Sequence, residues 1–96
     1  MIVPTINSNG TCGSELRDQL EQAIRALDTA IEKCIIAGPD GRDYQTSGAE
    51  VFRQAAKEFQ DRIDKLRDVR VELMGMLENV QDQIDDRERQ HIGGMY

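Results

Sequence analysis

The chain has 96 residues, so it forms one domain at most and can build only a thin core. Its 18 acidic and 12 basic side chains give a net charge of −6, and the basic residues are scattered singly, which argues against nucleic acid or an anionic membrane as the main partner. Few aromatic residues, no Trp and abundant Ala, Leu, Ile, Gln, Glu, Asp and Arg are typical of long helices.

The first thirteen residues favour turns and extended chain over helix, because Pro4, Gly10 and Gly13 accompany several Asn and Ser residues. We expect residues 1–13 to form a flexible arm. It lacks the basic start and apolar stretch of a cleaved leader, so we expect a protein that is cytoplasmic or secreted without a conventional signal peptide. No apolar run reaches 18 residues, so no membrane insertion is expected. Apolar residues in the arm that could dock on a neighbouring surface are Ile2, Val3 and Ile6.

Residues 14–37 are predicted to form the first helix. Ser14 offers a side-chain oxygen to the free amides of a helix start, and Glu15 places negative charge where the helix dipole favours it. Gly38 followed by Pro39 ends the helix. Its apolar stripe, with steps of four and three, consists of Leu16, Leu20, Ile24, Leu27, Ile31 and Cys34.

The two cysteines are expected to be free thiols. Their spacing fits no zinc pattern, and two cysteines are too few for a disulfide scaffold. A helix over residues 14–34 would hold its ends roughly 30 Å apart, far beyond the separation that a disulfide bridges. Cys34 is therefore expected to be a small core residue, and Cys12 an incidental thiol.

Residues 38–46 form the predicted loop, and residues 47–89 the second helix. Ser47 and Glu50 have the S-x-x-E spacing of a capping box, in which the two side chains satisfy backbone amides reciprocally, so we expect the helix to begin there. Two consecutive glycines near the carboxyl end stop the helix after residue 89, and residues 90–96 are expected to form a flexible tail.

A heptad-like apolar stripe runs along the second helix and contains one polar residue, Arg70. A tight loop would place Cys34, near the end of the first helix, beside Phe52, and Leu20 beside Leu66. Arg70 would lie near Glu15 and Asp18, where the first helix runs out. Arg70 would then fix the pairing register or select an acidic partner; the alternative is an arginine that extends into water at the end of the hairpin. The stripe consists of Phe52, Ala56, Phe59, Ile63, Leu66, Arg70, Leu73, Leu77, Val80 and Ile84.

The predicted helices differ in length, at about 36 Å and about 64 Å. The longer one leaves an uncovered apolar surface, and burying each of its large side chains is worth roughly 1.5–3 kcal/mol. We therefore expect a protein partner, either a second copy or another helical protein; the further alternative is that the arm folds back over the surface. The predicted interface consists of Arg70, Leu73, Met76, Leu77, Val80 and Ile84.

The sequence contains no recognisable catalytic constellation. The one histidine, His91, lies in the predicted tail, and Asp40 and Asp43 lack the remaining ligands of a calcium loop. The acidic run near residues 82–88 is expected to be a solvated face, with a recognition tail as the alternative. We therefore predict no enzyme, no cofactor and no metal site.

The stretch SGAEVFRQAAKEF, preceded by Thr46, resembles the turn region of the WXG-type, ESAT-like helical-hairpin proteins of type VII secretion. In that family a Trp-x-Gly turn joins two helices and is followed by alanines and a phenylalanine. The resemblance implies a dimer-forming adaptor or secretion partner in bacterial protein export. Thr46 replaces the motif tryptophan, and no clear Tyr-x-x-x-Asp/Glu export signal follows the second helix, which argues against autonomous export. The residues matching the turn motif are Thr46, Ser47, Gly48 and Phe52.

Together these features predict an all-α fold, an antiparallel two-helix hairpin with a long second helix, coiled-coil-like and completed by dimerisation. The predicted function is that of a non-enzymatic helical interaction protein. The alternative is a structural subunit of a helical assembly, such as a secretion needle or a phage scaffold, in which heterologous contacts do not close.

Overall fold

A computed structural model of the protein describes residues 1–6 and 12–93, with the backbone alone described for residues 90–93. It contains helix α1 (Gly13–Ala37), a short 3-10 helix (Gly41–Tyr44) and helix α2 (Ala49–Gly93). The described residues form no strand. The predicted all-α hairpin is therefore confirmed, and its helices are unequal, with 25 and 45 residues.

Helix α1 begins at Gly13, one residue before the predicted start. The backbone N–H of Leu16 donates to the carbonyl oxygen of Cys12 at 2.9 Å, so Cys12 occupies the capping position that precedes the helix. The helix ends at Ala37, where Gly38 and Pro39 follow.

The start of α2 differs from the predicted capping box. The helix begins at Ala49, and Gly48, with a φ of 90°, accepts its first hydrogen bond from the N–H of Phe52 at 3.3 Å. The N–H of Ser47, which a capping box would pair with a carboxylate, donates instead to the carbonyl oxygen of Tyr44 at 3.1 Å. Since a left-handed φ is unstrained only at glycine, Gly48 sets the start of the helix.

By contacts the chain divides into two units, each containing part of both helices. The first unit comprises Met1–Arg25 and Val71–Tyr96, and the second comprises Ala26–Arg70. Both units include strongly buried aliphatic side chains from α1 and α2. The two are described separately below.

In the second unit, the loop is not a tight reversal. A Cβ on Gly38 would lie 3.9 Å from Cδ1 of Phe59, so the end of α1 lies beside Phe59, whereas the sequence prediction places it beside Phe52. Phe52 instead contacts the loop, with its ring centroid 5.9 Å from that of Tyr44. Residues 38–48 therefore run alongside the first turns of α2, which precede the part of the helix that lies beside the end of α1.

In the first unit, the pairing register of α1 with α2 also differs from the predicted one. Gly13, the first residue of α1, lies against the side chain of Ile84, and Leu20 belongs to a cluster with Val80 rather than with Leu66. The part of α2 that extends beyond the start of α1 is therefore much shorter than predicted. Within the described residues, no helix combines the length and hydropathy required to cross a membrane.

Candidate functional site

Except for Arg70, the residues predicted to form an interface lie in the apolar cluster of the first unit. We call Leu73, Met76, Leu77, Val80 and Ile84 the α2 stripe. Three side chains at the centre of the cluster are buried, namely Ile6, Leu20 and Val80. Those packed around them are only partly buried: Leu16, Leu73, Met76, Leu77 and Ile84. The apolar cluster thus consists of three enclosed side chains and a larger rim of partly exposed ones.

The prediction that the stripe is uncovered in a single chain is wrong for Val80, which is 0% exposed. Two features of the same unit cover it: the register of α1, which places Leu20 in contact with the cluster, and the N-terminal residues, which contribute Ile6. The physical premise stands, since large apolar side chains do require burial. The chain meets that requirement for Val80 with its own residues.

Residues 1–6, predicted to belong to a flexible arm, pack against α2 instead; we call them the N-terminal segment. The Gln83 side chain accepts a hydrogen bond from the N–H of Ile6 and donates one to the carbonyl oxygen of Pro4, each at 2.9 Å. The Gln83 amide also donates to Asn79 Oδ1 at 3.0 Å, which orients it for these contacts. Ile6 is 8% exposed, whereas Ile2 is 93% exposed, so the segment is anchored mainly at one end.

The energy that holds the N-terminal segment is modest. Burial of Ile6 contributes roughly 1.5–3 kcal/mol, and the two hydrogen bonds from Gln83 add about 1 kcal/mol each. Fixing the backbone of three residues, 4–6, opposes this with about 1–2 kcal/mol per residue. The two sums are comparable, so the segment is held only marginally.

Because Gly13 has no side chain, the side chain of Ile6 can pack against the start of α1. A Cβ at this buried position would lie 2.9 Å from Cδ1 of Ile6 and 3.1 Å from Cγ1 of Ile84, closer than carbon atoms normally approach. The sequence analysis assigns Gly13 only to a turn-forming stretch. Its role depends on the contact between the N-terminal segment and α2, which no local pattern reveals.

Arg70 forms an ion pair within the second unit. Its Nε lies 2.5 Å from Oδ1 of Asp28 and its second nitrogen, Nη2, lies 3.4 Å from Oδ2. The predicted neighbours, Glu15 and Asp18, are therefore wrong. Both side chains of the pair are more than a third exposed, and such surface pairs contribute about 0–1 kcal/mol. Arg70 thus has an acidic partner in its own chain.

The four residues of the predicted turn motif are only partly brought together. Gly48 begins α2 through its backbone, and Phe52 contacts the Tyr44 ring. Thr46 and Ser47 are exposed in the turn that precedes Gly48. The motif therefore organises the loop, and its apolar contact is made by Tyr44 and Phe52.

Each unit has an open groove among its described residues. The groove in the second unit has a volume of about 400 Å³, and its apolar lining consists of Ile35, Ile36, Pro39, Ala56, Phe59 and Ile63. The groove in the first unit, of about 310 Å³, has Leu77 between the acidic side chains Glu21, Glu78 and Asp82. The second-unit groove was missed because it depends on the loop path, although Ile35 and Ile36 extend the apolar residues of α1 beyond its stripe.

The thiol of Cys12 is exposed and lies at the start of α1, with Sγ 3.2 Å from Oγ of Ser14. The Ser14 hydroxyl, followed by the backbone amides of Ser14 and Glu15, stabilises the thiolate and lowers the pKa of Cys12 below its ordinary value. Burial and the Glu15 carboxylate oppose this shift but do not cancel it. Cys12 is therefore a more reactive thiol than its sequence context suggests.

We expect Ser14→Ala to slow the alkylation of Cys12 near neutral pH. Losing the hydroxyl raises the pKa of Cys12, so a smaller fraction of the thiol is ionised at pH values below that pKa. Above the pKa in both proteins, the thiol is fully ionised and the difference should disappear. The measurement is the alkylation rate against pH in a Cys34→Ala background; equal rates at every pH would contradict the hydrogen bond.

Among the described residues, no group of three or more His, Cys, Asp or Glu side chains is arranged to hold a metal ion. Comparison with known proteins gives no match to a family profile, a curated protein or a solved structure. The geometry that can be interpreted functionally is therefore the half-open apolar cluster, with the α2 stripe at its centre.

Proposed function

We propose that the protein is a non-enzymatic helical interaction protein that pairs through the α2 stripe with a second copy or with another helical protein. The observation that carries this proposal is the state of the first unit's core. Only three side chains of its apolar cluster are buried, while Leu16 and four members of the stripe remain partly exposed around them. A helix laid against this rim would bury those side chains further, which favours association.

The proposed cellular role is that of an adaptor or secretion partner in bacterial type VII-like protein export. Its support is the resemblance of Thr46, Ser47, Gly48 and Phe52 to the turn of WXG-type proteins, together with a helical-hairpin fold. Members of that family act as helical pairs, so pairing through α2 agrees with such a role. The match rests on the turn region alone.

The pairing surface is tested by replacing Leu73 and Met76 with Ser together. Both side chains are partly exposed, so we expect the double variant to remain folded and to associate at least roughly tenfold more weakly, because a few kcal/mol of apolar burial is lost from the interface. Light scattering coupled to size-exclusion chromatography measures the association. Truncation after Leu73 is a poor test because it also removes Val80 from the core.

The matched control is Val71→Ser. Val71 is an aliphatic residue of the same helix, is 68% exposed and is not part of the apolar cluster, so association should not change. A wild-type protein that remains a well-folded monomer at micromolar concentration would contradict self-pairing. Equal effects of the control and the double variant would contradict the choice of surface.

An alternative function, a structural subunit of a helical assembly, is favoured by one observation. The second-unit groove, with the exposed Ile35 and Ile36, is an apolar surface that differs from the α2 stripe. Two different surfaces permit heterologous contacts, which extend into filaments when they do not close. Particles that grow continuously with concentration, instead of stopping at a dimer, would support this alternative.

A further inference from the structure

The N-terminal segment covers a surface of α2 while being held by few contacts of its own. Ile6 packs in the cluster that contains Val80, and Val80 is the fully buried side chain among the described residues. Apart from the packing of Ile6, the segment is attached to α2 by the two hydrogen bonds made by the Gln83 side chain. At the other end, Met1 and Ile2 are largely exposed.

We propose that residues 1–6 are a strap that closes over the α2 stripe and opens without unfolding of the helices, so that a partner helix reaches Val80 only in the open state. This inference rests on the proposed function, because it concerns the regulation of the same surface. Ile6 and a partner side chain cannot occupy the same place in the cluster that contains Val80. The strap therefore competes with the partner for one site.

Local opening follows from the position of the segment in the chain. It lies outside both helices, so its release breaks no helical hydrogen bond. Segments with few buried contacts open at lower free energy than the core they cover. When only the open state binds, the apparent affinity for a partner falls in proportion to the fraction of open molecules, and weakening the strap restores it.

The first measurement detects opening without any partner. In the full chain with Cys12→Ser and Cys34→Ala, a reporter thiol is introduced as Val80→Cys, and its labelling rate is compared with and without Gln83→Ala. Gln83→Ala removes both hydrogen bonds to the strap and should raise the labelling rate by roughly tenfold. An unchanged rate would overturn the strap.

A second reporter separates local opening from unfolding. Ile63→Cys, at a buried position of the second unit, should be labelled at the same rate with and without Gln83→Ala. If Gln83→Ala accelerates labelling equally at both reporters, the exposure of Val80 results from global unfolding, and the strap is overturned as well.

The second measurement is association of the full chain, without reporter thiols. Gln83→Ala and Ile6→Asp should each strengthen association by roughly tenfold, because both favour the open state. The matched control is Gln60→Ala, which loses a side-chain hydrogen bond within α2, from Gln60 Nε2 to Asp64 Oδ1 at 2.9 Å, but leaves the strap intact. Its association should equal that of the wild type.

The two measurements distinguish the two proposals. If Val80 becomes accessible in Gln83→Ala but no variant associates, pairing with a second copy through α2 fails and its regulation fails with it, although the strap opens. If the wild type associates and neither Gln83→Ala nor Ile6→Asp changes the association, the pairing function stands and the strap is overturned.

Discussion

We expect Val80→Asp to unfold the first unit. Val80 is 0% exposed, so the substitution removes a buried aliphatic side chain and places a carboxylate among apolar side chains. Loss of the apolar burial and the penalty of an unpaired buried charge together exceed about 4 kcal/mol. Since a whole domain is stabilised by only about 5–15 kcal/mol, little native structure should remain. Circular dichroism at 222 nm and its thermal transition measure the effect.

The matched control is Val71→Asp, the same substitution nine positions earlier in α2. Val71 is 68% exposed, so its replacement should change the free energy of unfolding by no more than about 0.5 kcal/mol. If Val80→Asp proved as stable as Val71→Asp, Val80 would be accessible in the free chain. The α2 stripe would then be uncovered, as the sequence analysis predicts, and the strap would not exist.

The end of α1 and the unequal lengths of the helices follow from the sequence because their causes are local, but the predicted stop of the second helix after residue 89 is wrong, since α2 continues to Gly93. The 3.6-residue periodicity of the apolar positions and the Gly38-Pro39 stop require no knowledge of tertiary contacts. The start of α2 shows the limit of local reasoning. Ser47 and Glu50 have the spacing of a capping box, yet the N–H of Ser47 is bonded to Tyr44 by the preceding turn. The preceding turn therefore uses the Ser47 N–H that a capping box would pair with the Glu50 carboxylate.

The pairing register does not follow from the sequence, because the apolar stripe repeats. The expected partner of Leu20, Leu66, and the observed one, Val80, are two heptads apart on α2, so both registers set apolar residues against apolar residues. Arg70 does not distinguish them either, since α1 offers an acidic side chain in both cases, Asp18 or Asp28. The path of the loop selects the register, and residues 38–48 have no periodicity that predicts it.

The position of the N-terminal segment is similarly invisible to pattern analysis. Its contacts join Pro4 and Ile6 to a side chain nearly eighty positions away, Gln83, through backbone groups that any sequence possesses. What the sequence does indicate is the cause: an apolar surface on α2 that requires a cover, and aliphatic residues in the arm that can supply one. Energetic reasoning identifies the surface, and three-dimensional contacts identify its occupant.

Gly13→Val should destabilise the protein by about 1–3 kcal/mol, the usual effect of forcing additional carbon atoms into a packed site. Even the first added atom would lie 2.9 Å from Cδ1 of Ile6, and the branched side chain requires Ile6 or Ile84 to move. Thermal and denaturant unfolding measure the loss. Gly41→Val is the matched control, because a Cβ on Gly41 has no atom within 4 Å, and its effect should remain within about 0.5 kcal/mol.

A second substitution tests whether the clash is with the strap. Ile6→Ala removes the atom nearest to the new side chain. Gly13→Val should therefore lower the free energy of unfolding much less in the Ile6→Ala background than in the wild type. The coupling free energy of this double-mutant cycle should reach about 0.5–3 kcal/mol, the range for residues in direct contact. Strictly additive effects would mean that Ile6 does not occupy the seat beside Gly13 in solution. Residues other than Ile6 would then have to bury Val80, and the strap would not compete with a partner for it.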